Sequence, residues 1–436
     1  MRPSLNNTAG LVPHPSPAPH LHQTLTRRPP QGPFSQAECE QYLGPNKFAA
    51  VQVSPPQEHV QGASWWTRYQ PVSYLLAGRG GGPDKFAKMI TRCNTAGVAV
   101  YVDVVLNHMA AAPAQGNATG TGGSSYGNRR FPDYAPEHFH HDKSSLSSNC
   151  KQGSDVSDRR VVQTCDSGDL PDLNTADAHV QQTQAAYLTH LTSLGVAGAR
   201  IDSAKLIDAK ELQAVFGQAK KPPPGLWFAD AEVYQVVSDV VLPGEYTGLG
   251  LVGEFKFPVE VQKHFAADAA VQYLSDLGPK WGLLPSAQAV SFLDNQDLQR
   301  YAADTTLTYK DGAVYRIATL FMLAYGYGYP RLMSSYYFAK YDDPPPADPV
   351  HGTGDVVRCG ADQPWVCEHR TPGVAGMVRW RIAAGNASVS NWQTYQGGNM
   401  IAFSRGPAFI AINNAVTAFD GQVVISAHDA VAVSVS

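Results

Sequence analysis

Residues 98–106, VAVYVDVVL, form a run of apolar and mostly β-branched side chains that carries one charge, at Asp103. Strands that are buried on both faces have this continuous apolar pattern, whereas half-exposed strands alternate between apolar and polar residues. The run therefore predicts a central strand of a parallel sheet.

Shorter apolar runs recur along the chain, and segments with a helical period separate several of them. Helices are predicted over Lys85–Asn94 and over a segment that ends at Gly195. Further strands are predicted over Ala49–Val53, a segment leading into Asp202, Leu226–Ala229, Leu251–Phe255, Val290–Leu293 and Tyr329–Met333. This alternation of strands and helices over about 300 residues predicts a (β/α)8 barrel, the TIM-barrel fold of the α/β class.

The N-terminal segment, residues 1–33, is rich in proline and poor in apolar anchors, so we expect it to be disordered. Proline cannot donate to a strand ladder, and the segment is therefore not expected to supply a central strand. Only seven barrel strands are predicted, and the first strand of the barrel is expected to be missing. The segment also has no apolar stretch of the kind that a signal peptide needs.

Three further divisions of the chain are predicted. Residues 34–108 and 174–375 form the barrel. Residues 109–173 have no helical period and form an excursion after the third barrel strand. Residues 376–436 have a β pattern and form a short C-terminal β-sandwich.

The composition excludes several classes of partner. A net charge of −4 gives no basis for binding nucleic acid or an anionic membrane, and no segment is long and apolar enough for a membrane span. Charged residues make up only 16% of the chain, while 20 tyrosines and 7 tryptophans are present. This balance favours a neutral, ring-shaped ligand such as a sugar, which is stacked on and hydrogen-bonded.

The six cysteines are an even set without the CxxC or His-rich spacing of a zinc site. Disulfides in an oxidising compartment are favoured over free thiols, and we therefore expect a secreted, extracellular protein.

Acidic residues stand at or just after predicted strand ends, where the active-site face of such a barrel lies. They are Asp103, Asp202, Glu232 and Asp297. Retaining hydrolysis of a glycosidic bond needs two carboxyl groups about 5–5.5 Å apart, one ionised and one protonated. Arg200 shares a strand face with Asp202 and can hold it ionised, while Glu232 follows an apolar run that favours its acid form. Taken singly, an acid at a strand end is more often structural or solvated than catalytic.

Four stretches together resemble the signatures of the alpha-amylases of glycoside hydrolase family 13, in the chloride-dependent, animal-type group. They are Asp103–His108, Gly198–Lys205, Phe228–Glu232 and Phe292–Asp297. Further similar stretches include Gln52–Pro55, Trp65–Pro71 and Trp365–Arg370. The resemblance runs in order from about Phe34 to Asn414.

The resemblance implies roles for individual residues. Asp202 would be the nucleophile, Glu232 the general acid/base and Asp297 the carboxylate that steadies the transition state. The implied substrate-binding residues are Trp65, Trp66, Tyr69, Gln70, His108, Arg200, Lys205 and Gln296. Starch, glycogen and maltooligosaccharides would be the substrates, cut at internal alpha-1,4 bonds, and the protein is expected to be a monomer.

Two ions and three disulfides are also implied. Calcium in the excursion would be bound by the side chains of Asn107 and Asp172 and by the carbonyls of Gln163 and Leu206. Chloride would lie between Arg200, Asn295 and Arg331. The implied disulfides are Cys39–Cys93, Cys150–Cys165 and Cys359–Cys367.

The sequence departs from the family pattern at two site positions, because Leu206 and Gln296 stand where the family has histidine. A carbonyl ligand tolerates the first change. Glutamine can donate a hydrogen bond but cannot carry charge, so slower turnover or altered pH dependence is expected. Two alternatives remain open: a transglycosylase on the same scaffold, and an inactive glucan-binding protein.

Overall fold

The computed structural model describes residues 20–23, 37–153, 156–225, 227–236, 239–302, 304–352, 356–420 and 424–434. Within these ranges, eight parallel strands pair side by side and close into a barrel. The strands are β1 His20–Gln23, β2 Ala50–Val53, β3 Ala99–Val105, β4 Gly198–Asp202, β5 Phe228–Ala231, β6 Leu251–Gly253, β7 Ala289–Ser291 and β8 Tyr329–Ser334. The predicted (β/α)8 barrel is confirmed.

The expectation of a missing first strand is wrong. β1 pairs in parallel with β2 on one side and with β8 on the other, so it closes the seam. No proline occurs between Pro19 and Pro29, so this stretch can supply four ladder residues although the segment as a whole is rich in proline. The rest of the segment 1–33, for which disorder was predicted, lies outside the described residues.

Helices connect and cover the barrel strands. They are α1 Pro83–Thr95, α2 Arg159–Thr164, α3 Ala178–Ser193, α4 Ala209–Gln218, α5 Lys256–Ala266, α6 Leu298–Tyr301, α7 Gly312–Ala324 and α8 Val374–Ala384. Phe86, Met89, Ile90 and Cys93 of α1 are buried, as expected for a helix that packs one face on a sheet. Both faces of β3 are largely buried, in agreement with its continuous apolar sequence.

The segment between β3 and α3, which includes residues 109–173, leaves the barrel. It contains α2 and two pairs of two-residue strands, Ala118–Thr119 with Ser125–Tyr126 and Lys151–Gln152 with Asp166–Ser167. A β-bridge between His108 and Asp172 joins its two ends at the mouth of the barrel. The excursion therefore begins and returns beside the end of β3.

The predicted start of the C-terminal domain, residue 376, falls inside α8. The C-terminal sheet begins only after this helix, at Val389. Buried positions of α8 recur at helical spacing, at Val374, Met377, Val378 and Arg381, which a β pattern does not explain. Four antiparallel strands follow in the order β9 Val389–Tyr395, β10 Met400–Arg405, β11 Ala408–Asn413 and β14 Asp429–Ser434. A hairpin of β12 Phe419–Asp420 and β13 Val424–Ile425 packs on one face of this sheet.

All six cysteines are paired as the resemblance implies, in Cys39–Cys93, Cys150–Cys165 and Cys359–Cys367. Among the described residues, no helix is both long and apolar enough to cross a lipid bilayer.

Candidate functional site

Arg200 is the centre of a charged network at the carboxyl ends of β3, β4 and β5. Its Nη1 donates to Asp103 Oδ1 at 2.8 Å and to Asp202 Oδ1 at 2.9 Å, and its Nη2 pairs with Glu232. Asp103 and Arg200 are register partners on adjacent strands, and Asp202 lies two residues further along β4 on the same face. Strand pairing and strand alternation thus bring three carboxylates to one guanidinium.

Ser203 bridges the two carboxyl groups of the predicted catalytic pair. It has a left-handed backbone with φ of 49°, which turns its amide and hydroxyl towards the site. The Ser203 N–H donates to Glu232 Oε2 at 2.9 Å, and its hydroxyl donates to Asp202 Oδ2 at 3.2 Å. Sequence reasoning missed this residue, because its role depends on a backbone conformation that its type does not indicate.

Burial raises the pKa of all three predicted catalytic carboxyl groups. Burial raises the pKa of Asp202 to about 6, with Arg200 opposing the shift. Burial also raises the pKa of Glu232, again against Arg200. For Asp297, burial and the charge of Glu232 raise the pKa to about 8. Arg200 therefore contacts Asp202 as expected, but burial outweighs it. At neutral pH the site can hold an ionised Asp202 beside a protonated Asp297.

Asp297 is positioned by its neighbours in the segment after β7. Its backbone N–H donates to Asn295 Oδ1 at 3.0 Å, and Gln296 Nε2 donates to Asp297 Oδ2 at 3.0 Å. Gln296 therefore contacts the carboxylate directly, at the position where the family pattern has histidine.

A cleft of about 620 Å³ opens above these carboxyl groups. Asp202, Glu232 and Asp297 line it. It is also lined by most of the predicted substrate-binding residues, namely Trp65, Trp66, Tyr69, Gln70, His108 and Lys205. Arg200 and Gln296 are buried beneath them. The cleft further contains aromatic residues that sequence reasoning missed: Tyr234, Phe255, Tyr301 and Tyr341.

Two of the polar residues in the cleft already have partners within the protein, one through a hydrogen bond and one through an ion pair. Burial lowers the pKa of His108 to about 4, so its imidazole is neutral, and its Nε2–H donates to the Tyr69 carbonyl at 2.9 Å. Lys205 Nζ pairs with Asp239 Oδ1 at 2.6 Å. Both side chains are thus held in fixed positions at the rim of the cleft.

Trp65 and Trp66 form part of the wall of the cleft, and neighbouring side chains and carbonyls hold both rings in place. Trp65 Nε1 donates to the Tyr341 carbonyl at 2.8 Å, and Trp66 Nε1 donates to Asp342 Oδ1 at 2.6 Å. The guanidinium of Arg300 lies 4.5 Å from the Trp65 ring centroid, within cation–π range. These contacts fix two aromatic rings that face the cleft.

The residues expected at a calcium site suit a hard cation. Asn107 and Asp172 are buried, and Asp172 Oδ1 makes no hydrogen bond of normal geometry within the described ranges. Burial raises the pKa of Asp172 to about 7, a cost that a bound cation would remove. Gln163 Nε2 donates to the carbonyl of Ile207 at 3.4 Å, so Gln163 lies beside Leu206. One carboxylate, one amide and two carbonyls are oxygen donors of the kind that calcium prefers.

The residues expected to bind chloride do not form an open anion site. Arg331 of β8 is ion-paired with the carboxylate of Asp230, a residue of β5 that sequence reasoning had not singled out. Asn295 Oδ1 accepts from the backbone N–H groups of Asp297 and Leu298, at 3.0 and 2.7 Å. Arg200 is surrounded by carboxylates. A free anion does not fit beside Arg331, because a carboxylate already stands there.

Comparisons with known proteins agree with this geometry. A sequence model of the family described as alpha amylase, catalytic domain, matches residues 73–221. The alpha-amylase of Streptomyces violaceus is 40% identical over 383 residues, which cover 87% of this chain and 63% of that protein. The alpha-amylase of Tenebrio molitor is 39% identical over 397 residues, covering 86% of this chain and 81% of the relative. This chain therefore spans less than two thirds of the length of the Streptomyces protein.

A solved structure is similar over almost the whole fold. It is the maltohexaose complex of a mutant of alpha-amylase I from Eisenia fetida, with a TM-score of 0.82 and 32% sequence identity. The match covers 94% of this chain and 86% of the Eisenia chain.

Proposed function

The chain belongs to the alpha-amylase family of glycoside hydrolases, and from this premise we propose that it hydrolyses internal alpha-1,4 bonds of starch and glycogen with retention of configuration. The observation that carries the proposal is the Arg200 network, which joins Asp202 and Glu232 through one guanidinium and through Ser203. A retaining mechanism needs two carboxyl groups held side by side, and this network supplies that arrangement.

Asp202 acts as the nucleophile. Arg200 and the Ser203 hydroxyl both donate to its carboxylate and favour the ionised form. The pKa of Asp202 is raised to about 6 and that of Asp297 to about 8. Asp202 is therefore the more readily ionised of these two cleft carboxyl groups, and Asp297 is the more readily protonated. Attack by Asp202 on the anomeric carbon gives a glycosyl-enzyme ester, which water then hydrolyses.

Glu232 acts as the general acid and then as the general base. Burial raises the pKa of its carboxyl group and favours the protonated form that the leaving oxygen requires. The Ser203 N–H holds Oε2 of Glu232 in place. Asp297, next to Gln296, forms hydrogen bonds with hydroxyl groups of the sugar and, in its ionised form, stabilises the positive charge of the transition state.

Calcium would be held by the side-chain oxygens of Asn107 and Asp172 and by the backbone carbonyls of Gln163 and Leu206. When bound, it would tie the excursion to the barrel beside the cleft, because Asp172 belongs to the excursion and Asn107 follows β3. Its role is therefore structural, at the wall of the substrate cleft.

The substrate class and the compartment follow from the same features. The maltohexaose complex of the Eisenia fetida relative supports an oligosaccharide ligand, and the aromatic walls of the cleft suit sugar rings. Three disulfides support an oxidising, extracellular setting. We propose a monomer, which size-exclusion chromatography with light scattering will test.

The test is product analysis with soluble starch and with maltohexaose. Hydrolysis by this chain should release reducing ends whose first anomer, followed by NMR, is alpha. Glu232→Gln should lose starch hydrolysis but keep part of its activity on an aryl maltoside with a good leaving group, which needs no acid. Asp202→Asn should lose both activities. Products longer than the substrate would instead indicate a transglycosylase, and no turnover of either substrate would indicate a binding protein.

A further inference from the structure

One buried ion pair crosses the interior of the barrel close to the proposed catalytic groups. Asp230 of β5 and Arg331 of β8 contact each other, and their residues are 2% and 6% exposed. Two strands, β6 and β7, separate β5 from β8 in the sheet, so these side chains meet across the barrel and not along it. The Arg331 guanidinium also lies 4.7 Å from the centroid of the Phe292 ring.

Asp230 is adjacent to the proposed catalytic machinery on two sides. It is the register partner of Arg200 on the neighbouring strand, and it precedes Glu232 by two residues. Burial raises the pKa of Asp230, and the charges of Arg331 and Arg200 oppose that shift. The carboxylate thus contacts Arg331 and lies within the electrostatic reach of Arg200 and Glu232.

A buried guanidinium needs a negative partner, since an uncompensated charge in the interior costs several kcal/mol. A dissolved anion can meet this need only where space is left beside the guanidinium. Here the covalently attached carboxylate of Asp230 meets it. A second anion beside Arg331 would face the negative charge of Asp230 at close range, which is unfavourable in a buried site.

We infer that Asp230 is a built-in substitute for a dissolved anion, so that hydrolysis by this chain does not depend on chloride. The inference rests on the proposed function. Asp230 acts as a positioning residue: it neutralises Arg331 and leaves Arg200 to Asp103, Asp202 and Glu232. The charge of Glu232 raises the pKa of Asp230, and the same repulsion between the two carboxylates favours the protonated form of Glu232.

The test compares starch hydrolysis in chloride and in gluconate at the same ionic strength, so that surface screening is equal. The wild-type rate should differ by less than about twofold between the two salts. Asp230→Ala leaves space and an unpaired Arg331, so its rate in gluconate should fall by about tenfold or more, the effect of one pKa unit on the acid form. Chloride should restore much of that loss. Asp230→Asn fills the space and should respond less.

Two further readouts separate this role from a purely structural one. Chloride should raise the melting temperature of Asp230→Ala and shift the alkaline limb of its pH profile back towards that of the wild type. As a matched control, Glu38→Gln neutralises another buried carboxylate that contacts an arginine, Arg370, outside the cleft. This control should be destabilised without any chloride-dependent activity.

The outcomes are distinct. Wild-type hydrolysis that requires chloride would overturn the inference and leave the proposed function intact, and this result needs no variant to fold. An Asp230→Ala enzyme with wild-type activity in gluconate would also overturn it. A wild-type protein that is inactive on starch in both salts would instead overturn the proposed function.

Discussion

Two buried clusters in this molecule combine carboxylates and hydrogen-bond donors in opposite proportions. In the Glu38 cluster, one carboxylate accepts hydrogen bonds from His351 and His369 at 2.6 Å each and from Arg370 at 2.8 and 2.9 Å. Burial alone would raise the pKa of Glu38, but these donors outweigh it and hold the pKa far below its usual range. This carboxylate is therefore held in its ionised form.

The Arg200 cluster has the reverse ratio, with one guanidinium among Asp103, Asp202 and Glu232. A single cation cannot compensate for the burial of several carboxyl groups, so the pKa values of Asp202 and Glu232 are raised. The ratio of hydrogen-bond donors to carboxylates therefore decides the role of a buried cluster. Excess donors hold one carboxylate ionised for stability, whereas excess carboxylates leave protons that can move.

The largest effect is expected from Asp202→Asn, which removes the proposed nucleophile. Starch hydrolysis should fall by about 10⁴-fold or more. The thermal stability of the variant, in contrast, should increase at alkaline pH. A carboxyl group whose folded-state pKa is raised stabilises the fold only at low pH and loses that contribution as pH rises through about 6. The variant should therefore melt higher than the wild type at pH 8 and similarly at pH 4, as scanning calorimetry can measure. If the variant melted at a lower temperature than the wild type at pH 8, the ionised Asp202 carboxylate would not be a destabilising group.

Glu38→Gln should have the opposite signature, with lost stability and retained catalysis. Removing one partner of a buried ion pair costs about 3–5 kcal/mol. Because the folded-state pKa of Glu38 is lowered, its contribution is present above the unfolded pKa and is lost as pH falls through the folded one. The loss of melting temperature should be greatest near neutral pH and shrink in acid. Loss of turnover at a temperature where the variant is still folded would argue against a purely structural cluster.

Asp172→Asn tests a third buried carboxylate, whose negative charge would be compensated by bound calcium. We expect calcium affinity to fall by about 10- to 100-fold. The measurement is the melting temperature with calcium and with a chelator. The chelator should lower it clearly for the wild type and only slightly for the variant. Equal responses in both proteins would remove Asp172 from the ligand set.

The smallest effect is expected from Gln296→His, which places a titratable group beside Asp297. One altered hydrogen bond corresponds to about 2- to 10-fold in turnover. Steady-state kinetics across pH should show faster turnover with KM nearly unchanged, together with a new ionisation in the profile. An unchanged profile would mean that Gln296 already serves Asp297 as well as histidine does.

The sequence alone predicted the barrel and the convergence of acidic residues at its strand ends, because both depend on local patterns. Continuous apolar runs marked buried strands, and acids at or after their ends meet at Arg200, as Asp103 and Asp202 illustrate. Features that depend on the tertiary arrangement were not predictable. Ser203 needs a left-handed backbone, Asp230 meets an arginine three strands away, and β1 completes a barrel from a segment whose composition suggested disorder.

The most direct test of the account is to trap the proposed glycosyl-enzyme. A 5-fluoro-maltosyl fluoride slows hydrolysis of the ester, and peptide mass spectrometry then identifies the modified residue. If Asp202 is the nucleophile, one 5-fluoromaltosyl group should be found on Asp202 and none on the Asp202→Asn variant. A label on Glu232 or Asp297, or turnover of the reagent without any covalent adduct on the wild-type protein, would contradict the assignment of the nucleophile and the retaining mechanism with it.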